Sequence, residues 1–171
     1  TPRLITLTAN SDQKPYDGTP LTNINFTVAG AMPLTDTVQA TVKGTITDVG
    51  TENNKVTAFK VLNADGNTDV TANYVIDASA LGTLSVTPYP ITVKPVDAVR
   101  IYDGTALVAT NYELVSGTFI GSQGFTNNMV YGGSQTLTGT SASTIESYTL
   151  KTNTRADNYT INKLPGTLTV T

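Results

Sequence analysis

Short stretches of alternating apolar and polar residues recur along the whole chain. Leu4–Ala9 reads LITLTA, and the same period of two runs through Pro90–Pro95, which reads PITVKP. Successive side chains of a strand point to opposite faces, so this period predicts strands with one buried face. Further segments of this kind are 24–30, 37–44, 54–63 and 82–87.

Turn-forming residues separate these segments. Asn63–Asp69 (NADGNTD) places Asp-Gly between two strand-like segments, which predicts a hairpin. Ala31–Thr37 (AMPLTDT) predicts one short helical turn, with Thr35 or Asp36 as its cap. Strands spaced by roughly 8–15 residues favour a sandwich, a barrel or a β-grasp. We therefore predict a mainly β protein with little helix, built as an immunoglobulin-like sandwich or in a β-grasp-like arrangement.

Four short motifs occur twice in the same order, at offsets of 84 to 86 residues. They are Ile5–Leu7 with Ile91–Val93, Tyr16–Thr19 with Tyr102–Thr105, Asn73–Ile76 with Asn158–Ile161, and Gly82–Thr87 with Gly166–Thr171. Ordered matches at a nearly constant offset indicate a duplicated unit. Between these motifs the copies drift, and Gly44 and Gly50 best match Gly133 and Gly139.

The duplication predicts two tandem small β domains, residues 1–88 and 89–171. The boundary contains Pro88-Tyr89-Pro90, and each proline fixes its own φ and restricts the residue before it. We therefore expect a short, stiff joint rather than a flexible linker.

Composition supports β structure and removes several classes of function. Charged residues make up only 13% of the chain, about half the ~25% that is usual in soluble domains. The formal net charge is −3 and no basic stripe is present, so we expect no nucleic-acid binding. No apolar run approaches the roughly 20 residues that span a bilayer, so we expect no membrane insertion of this segment.

The chain contains no Cys and no His. Disulfide bonds and metal sites built from thiolates or imidazoles are therefore excluded. The carboxylates are scattered through turns, and no nucleophile motif such as G-x-S-x-G occurs. We expect no catalytic residues and no enzymatic activity.

The tetrapeptide Tyr-Asp-Gly-Thr is the most conspicuous repeated motif. It comprises Tyr16, Asp17, Gly18 and Thr19 in the first copy, and Tyr102, Asp103, Gly104 and Thr105 in the second. Asp-Gly is a turn dipeptide, and the preceding tyrosine can bury its ring while its hydroxyl reaches the backbone. We predict a structural corner after the first strand; the alternative is a ligand contact through Tyr16 and Tyr102.

Two further candidate sites use ordinary polar residues. Asn63, Asp65, Asn67 and Asp69 have the alternate spacing of an oxygen-rich calcium loop, although the position of an EF-hand glutamate is occupied by Tyr74. The alternative for this loop is a polar hairpin tip without a cofactor. An intramolecular Lys–Asn bond is a second hypothesis, and its candidate lysines are Lys14, Lys43, Lys60, Lys94 and Lys151.

Each copy reads as a strand, [KR]-x-Y-D-G-T, a glycine-punctuated middle, N-Y-x-I and G-T-L-x-V-T. This order resembles the YDG/MBG-type repeats that occur in tandem in large bacterial surface and adhesin-like proteins. The middle of the second copy departs from the first. The resemblance implies an extracellular module at the bacterial cell surface or in a secreted protein, with neighbouring repeats as partners and no catalytic residues.

Three functions remain open at this point. The first is a structural stalk or spacer in cell adhesion. The second is an adhesin that binds host glycan or protein through an aromatic surface of Tyr89, Tyr112, Tyr131 and Tyr148. The third is an accessory module of a secreted enzyme. We expect a monomer, because no long apolar edge strand is evident.

Overall fold

A computed structural model describes the whole chain, residues 1–171. The prediction of a mainly β protein is confirmed, since the only helical segments are two single 3₁₀ turns, Thr71–Asn73 and Ala156–Asn158. Neither has the length and apolar character that a membrane crossing requires. The chain divides into two compact units, Thr1–Thr87 and Pro88–Thr171. Every strand pairs only with strands of its own unit.

The first unit contains seven strands in two sheets. They are β1 Arg3–Ala9, β2 Asp12–Pro15, β3 Phe26–Gly30, β4 Thr37–Lys43, β5 Gly50–Leu62, β6 Tyr74–Ala80 and β7 Gly82–Thr87. The strand orders are β3-β1-β6 and β2-β7-β5-β4. The β1–β6 and β2–β7 pairs are parallel, and the other pairs are antiparallel.

The second unit has the same arrangement. Its strands are β8 Tyr89–Pro95, β9 Ala98–Arg100, β10 Tyr112–Ser116, β11 Val130–Gly132, β12 Gly139–Ser147, β13 Tyr159–Lys163 and β14 Gly166–Val170. The orders β10-β8-β13 and β11-β12-β14-β9 repeat those of the first unit strand for strand. The β8–β13 and β9–β14 pairs are again parallel. The two units therefore share one topology.

The first and last strands of each unit pass from one sheet to the other side by side. In the first unit, β1 leads into β2 while β6 leads into β7, and both crossings occur beside Gly82. A Cβ at Gly82 would lie 2.3 Å from the Asn10 carbonyl oxygen, so no larger residue fits without movement. Gly166 has the same role, with a Cβ only 2.6 Å from the Pro95 carbonyl oxygen.

Each unit is sandwich-like, because both of its sheets contribute to one core. The first core combines β1 and β6 of one sheet with β4 and β5 of the other, through Ile5, Leu7, Ala9, Tyr74, Val42, Val56 and Val61. The second core is centred on Val93, Phe125 and Ile145 and is richer in aromatic rings. Alternation along the strands therefore predicted the buried faces correctly, for example Ile5 and Leu7 in β1.

The helical turn predicted for Ala31–Thr37 is wrong. That segment is an irregular turn in which the Asp36 N–H donates to the Pro33 carbonyl at 3.2 Å. Leu34 is fully exposed there, and Met32 alone of the segment packs against the first core. One such contact is less than the apolar face whose packing stabilises most short helices. The two 3₁₀ turns instead precede β6 and β13.

Candidate functional site

The repeated Tyr-Asp-Gly-Thr motif forms a tight corner at the end of β2. One carboxylate oxygen of Asp17 accepts the backbone N–H of Thr19 at 2.9 Å and its hydroxyl at 2.7 Å. Gly18 has a φ of 77°, in the left-handed region that glycine adopts without steric cost. The motif is therefore a turn whose own side chains satisfy its backbone.

The basic residue that begins the motif belongs to the same corner. The Lys14 ammonium donates to Asp17 at 2.7 Å and to the Thr19 carbonyl at 2.8 Å. The hydrogen bond from Lys14, followed by those from Thr19, lowers the pKa of Asp17 to about 2. Lys14, which belongs to β2, thus links that strand to the turn.

The second unit repeats this corner with arginine in place of lysine. Asp103 accepts the N–H of Thr105 at 2.9 Å and its hydroxyl at 2.8 Å, which, together with the nearby Arg100, lowers the pKa of Asp103. The Arg100 guanidinium lies 3.2 Å from Asp103 and also donates to the Thr105 carbonyl. The repeated basic residue is explained by this contact.

Each corner is joined to the last residue of its unit. The Tyr16 N–H donates to the Thr87 carbonyl at 2.8 Å, and the Tyr102 N–H donates to the Thr171 carbonyl at 2.8 Å. The corner therefore extends the parallel ladder between the second strand and the last strand of each unit.

The two tyrosine rings of the motif have different surroundings. Tyr16 is 4% exposed, whereas Tyr102 is 52% exposed. The predicted burial of the ring is therefore seen only at Tyr16. Since the backbone and Asp-Thr bonds are the same in both corners, the turn does not depend on burial of its tyrosine.

The repeated Asn-Tyr motif provides a second contact that the sequence analysis did not assign. The Tyr74 hydroxyl donates to the Asp36 carboxylate, and this bond raises the pKa of Tyr74. In the second unit the Tyr159 hydroxyl donates to Gln123 and accepts the Ile120 N–H at 3.0 Å. Each tyrosine thereby ties its strand to the loop that precedes β4 or β11. The recurrence of the motif was the available signal.

A buried polar side chain lies at the sheet crossing of each unit. Asn54 is fully buried, and its amide donates to the Asn10 carbonyl at 2.9 Å and the Asn23 carbonyl at 2.7 Å. Asn54 stands opposite Gly82, and Ser143 stands opposite Gly166 in the second unit. No sequence pattern marks this position, because the partners of Asn54 are distant in the chain.

The candidate calcium loop is a turn closed by its own hydrogen bonds. Asp65 accepts the N–H groups of Asn67 at 2.7 Å and Thr68 at 2.8 Å. The bond from the Thr68 hydroxyl, followed by these backbone bonds, lowers the pKa of Asp65 to about 2. Asn63 and Asp69 likewise accept N–H groups two residues further on. No three Asp or Glu side chains of the protein are grouped to hold a metal ion.

The lysines proposed for a Lys–Asn bond lie at the surface. Lys14 pairs with Asp17, and Lys94 pairs with Asp97 at 3.0 Å and Glu113 at 3.1 Å. Lys43, Lys60 and Lys151 are exposed. None of the five is therefore inside a core beside an asparagine.

The tyrosines proposed as an adhesive surface are used largely for packing. Tyr112 and Tyr148 contact Phe125 edge-on, with ring centroids 5.3 and 4.8 Å apart. Tyr131 packs against the same cluster, and Tyr89 is only partly exposed at the start of β8. Three of the four tyrosines therefore contribute to the packing around Phe125.

Two surface grooves of the first unit contain few charged residues. A groove of about 530 Å³ is lined by residues 22–24 and 42–45 and has Lys43 as its one charged residue. A second, of about 380 Å³, contains Arg3 and Asp36, but Asp36 is already bonded to Tyr74.

Comparison with known proteins adds no assignment. No family model, no curated protein and no solved structure matches the chain. The resemblance to YDG/MBG-type repeats therefore stays a prediction that depends on the repeated motifs.

Proposed function

We propose that this chain is a pair of non-catalytic repeat modules that act as a spacer in a bacterial surface protein. The observation that carries the proposal is the parallel pairing of the first and last strands in each unit. Because these strands run in the same direction, the chain enters a unit at one end and leaves it at the other. Modules of this kind lengthen a protein when they are joined in tandem.

The use of the repeated residues supports the same proposal. Asp17 and Asp103 hold turns, while Tyr74 and Tyr159 hold loops. A residue that recurs in both copies is thus explained by a bond inside its own unit. The neighbouring repeats of the same protein are the partners that the proposal requires.

Surface display tests the spacer function directly. A binding head of known specificity is anchored to a cell through no copy, one copy or two copies of residues 1–171. We expect capture of a bulky, surface-excluded ligand to rise with each copy, while capture of a small ligand stays constant. Equal capture of the bulky ligand by all three proteins would contradict the proposal.

A parallel measurement tests the alternative function, an adhesin that binds host glycan or protein. The chain without a head is applied to a glycan array and to host cells. We expect no saturable binding. Saturable binding that Tyr102→Ala abolishes without loss of folding would replace the spacer function with a direct adhesive one, and Thr105→Ala in the same corner is the matched control.

A further inference from the structure

The first two strands of each unit lie beside its last two strands, and we term these four strands the terminal-strand pair. In the first unit it consists of β1 with β6 and β2 with β7, paired from Arg3–Tyr74 to Pro15–Thr87. Both ladders are parallel, and they continue from one sheet into the other around Gly82. The second unit has the same pair in β8 with β13 and β9 with β14.

The direction of these ladders determines how they respond to tension. Force on the N-terminal side pulls β1 and β2 towards the start of the unit, while force on the C-terminal side pulls β6 and β7 towards its end. The two parallel segments must then slide past one another, so their evenly spaced hydrogen bonds are loaded together rather than in sequence. Separation of the same strands from one end would break those bonds one after another.

We propose that the terminal-strand pair is a mechanical clamp that resists tension along the chain. The bond from the Tyr16 N–H to the Thr87 carbonyl extends the clamp to the last residue of the first unit. The corner of Lys14, Asp17 and Thr19 fixes the end of the segment that makes this bond. The inference depends on strand pairing alone and stands whether or not the spacer function is correct.

Single-molecule pulling between two introduced cysteines tests the clamp, because the natural chain has no cysteine to interfere. In the full chain, Thr1→Cys with Pro88→Cys applies tension along the first unit. Thr1→Cys with Ala72→Cys pulls the starts of β1 and β6 apart, since Ala72 is exposed in the 3₁₀ turn that immediately precedes β6. Both variants leave every ladder bond intact.

We expect the first variant to unfold at a higher force than the second at the same loading rate, by about twofold or more, because forced unfolding follows the barrier along the pulled direction. Urea unfolding without force is the control for equal stability of the two variants. Equal forces, or a lower force along the chain, would overturn the clamp.

The second unit provides an independent repetition. Pro88→Cys with Thr171→Cys pulls along it, and Pro88→Cys with Ala156→Cys, in the 3₁₀ turn before β13, pulls the starts of β8 and β13 apart. We expect the same order of forces. A higher force along the chain in one unit only would overturn the inference, because both units share the topology that is proposed to resist tension. Failure of the display experiment with retained mechanical strength would remove the spacer function and leave the clamp.

Discussion

Tyr16 and Tyr102 occupy the same position in two equivalent corners but differ in burial. Removal of a buried aromatic side chain costs both transfer free energy and cavity free energy. We expect Tyr16→Ala to lower the free energy of unfolding by about 3–5 kcal/mol. For Tyr102→Ala we expect a loss of no more than about 1 kcal/mol, as is usual for exposed positions. Urea unfolding measures both losses of free energy. Equal losses would show that the Tyr102 ring stabilises its corner as much as the Tyr16 ring does.

Asp17 gives the corner a defined response to acid. Folding lowers its pKa from 3.8 to about 2, so the charged form stabilises the folded state. This stabilisation is complete above the unfolded pKa and disappears as the pH falls through the folded pKa. We expect the stability difference between the natural chain and Asp17→Asn to be constant above pH 5 and to shrink between roughly pH 4 and pH 2.

Urea unfolding at a series of pH values provides this difference, and carbon NMR of the Asp17 carboxyl provides the pKa itself. Thr19→Val is the companion variant, because it removes the hydroxyl donor but leaves the carboxylate. We expect it to move the pKa of Asp17 back towards 3.8. A carboxyl of the natural chain that titrates at 3.8 would contradict the corner as described.

Local residue contacts were predictable from the sequence, and distant ones were not. The Asp-Gly turn follows from the conformational preferences of neighbouring residues, and its bonds span two residues. The bond of Tyr74 to Asp36 spans 38 residues, and that of Asn54 to Asn10 spans 44. No periodicity reports such pairs, because they arise only when the sheets come together.

At the scale of the elements, the sheet crossing depends on the close approach of Gly82 to Asn10. An added methyl group would lie 2.3 Å from a carbonyl oxygen, far inside contact distance. We expect Gly82→Ala to cost about 3 kcal/mol, because the paired strands must separate to admit it. Thr83→Ala, the exposed neighbour in β7, is the control. Urea unfolding distinguishes the two, and a neutral Gly82→Ala would show that the crossing is loosely packed.

The candidate calcium site lies in the loop between β5 and β6. Both carboxylate oxygens of Asp65 already accept bonds from Asn67 and Thr68, and a cation would have to displace them. We expect the melting temperature to stay the same with added calcium and with chelator. A rise with calcium that Asp65→Asn removes would establish a site at this loop.

The strands and the matching glycines were predicted more reliably from the sequence than the short helical segments were. The match of Gly50 with Gly139 across an insertion agrees with the structure, since both begin a strand at left-handed φ and face Val86 or Val170. The helical turn was misplaced because its cue was capping alone. Alternation reflects burial of a whole face, which is a stronger determinant than a cap.

At the scale of the whole molecule, duplication was visible in the sequence but the topology was not. Four motifs marked the two copies, yet none indicated that β1 would lie parallel to β6 or β2 parallel to β7. Parallel partners meet only through a long connection, so their pairing leaves no local pattern. The parallel pairing of the first and last strands therefore comes from the fold and not from any single motif.

The independence of the two units leads to the last prediction. Every strand pair is made within one unit, and each described core cluster draws its residues from one unit. We expect residues 1–87 and 88–171 to fold as separate proteins, each stable by a few kcal/mol because small domains bury a limited fraction of their surface. Well-dispersed amide NMR spectra that overlay on those of the full chain would demonstrate this. If one fragment were unfolded alone but folded when joined to the other, its core would depend on its neighbour, and a spacer assembled from self-sufficient modules would no longer account for the duplication.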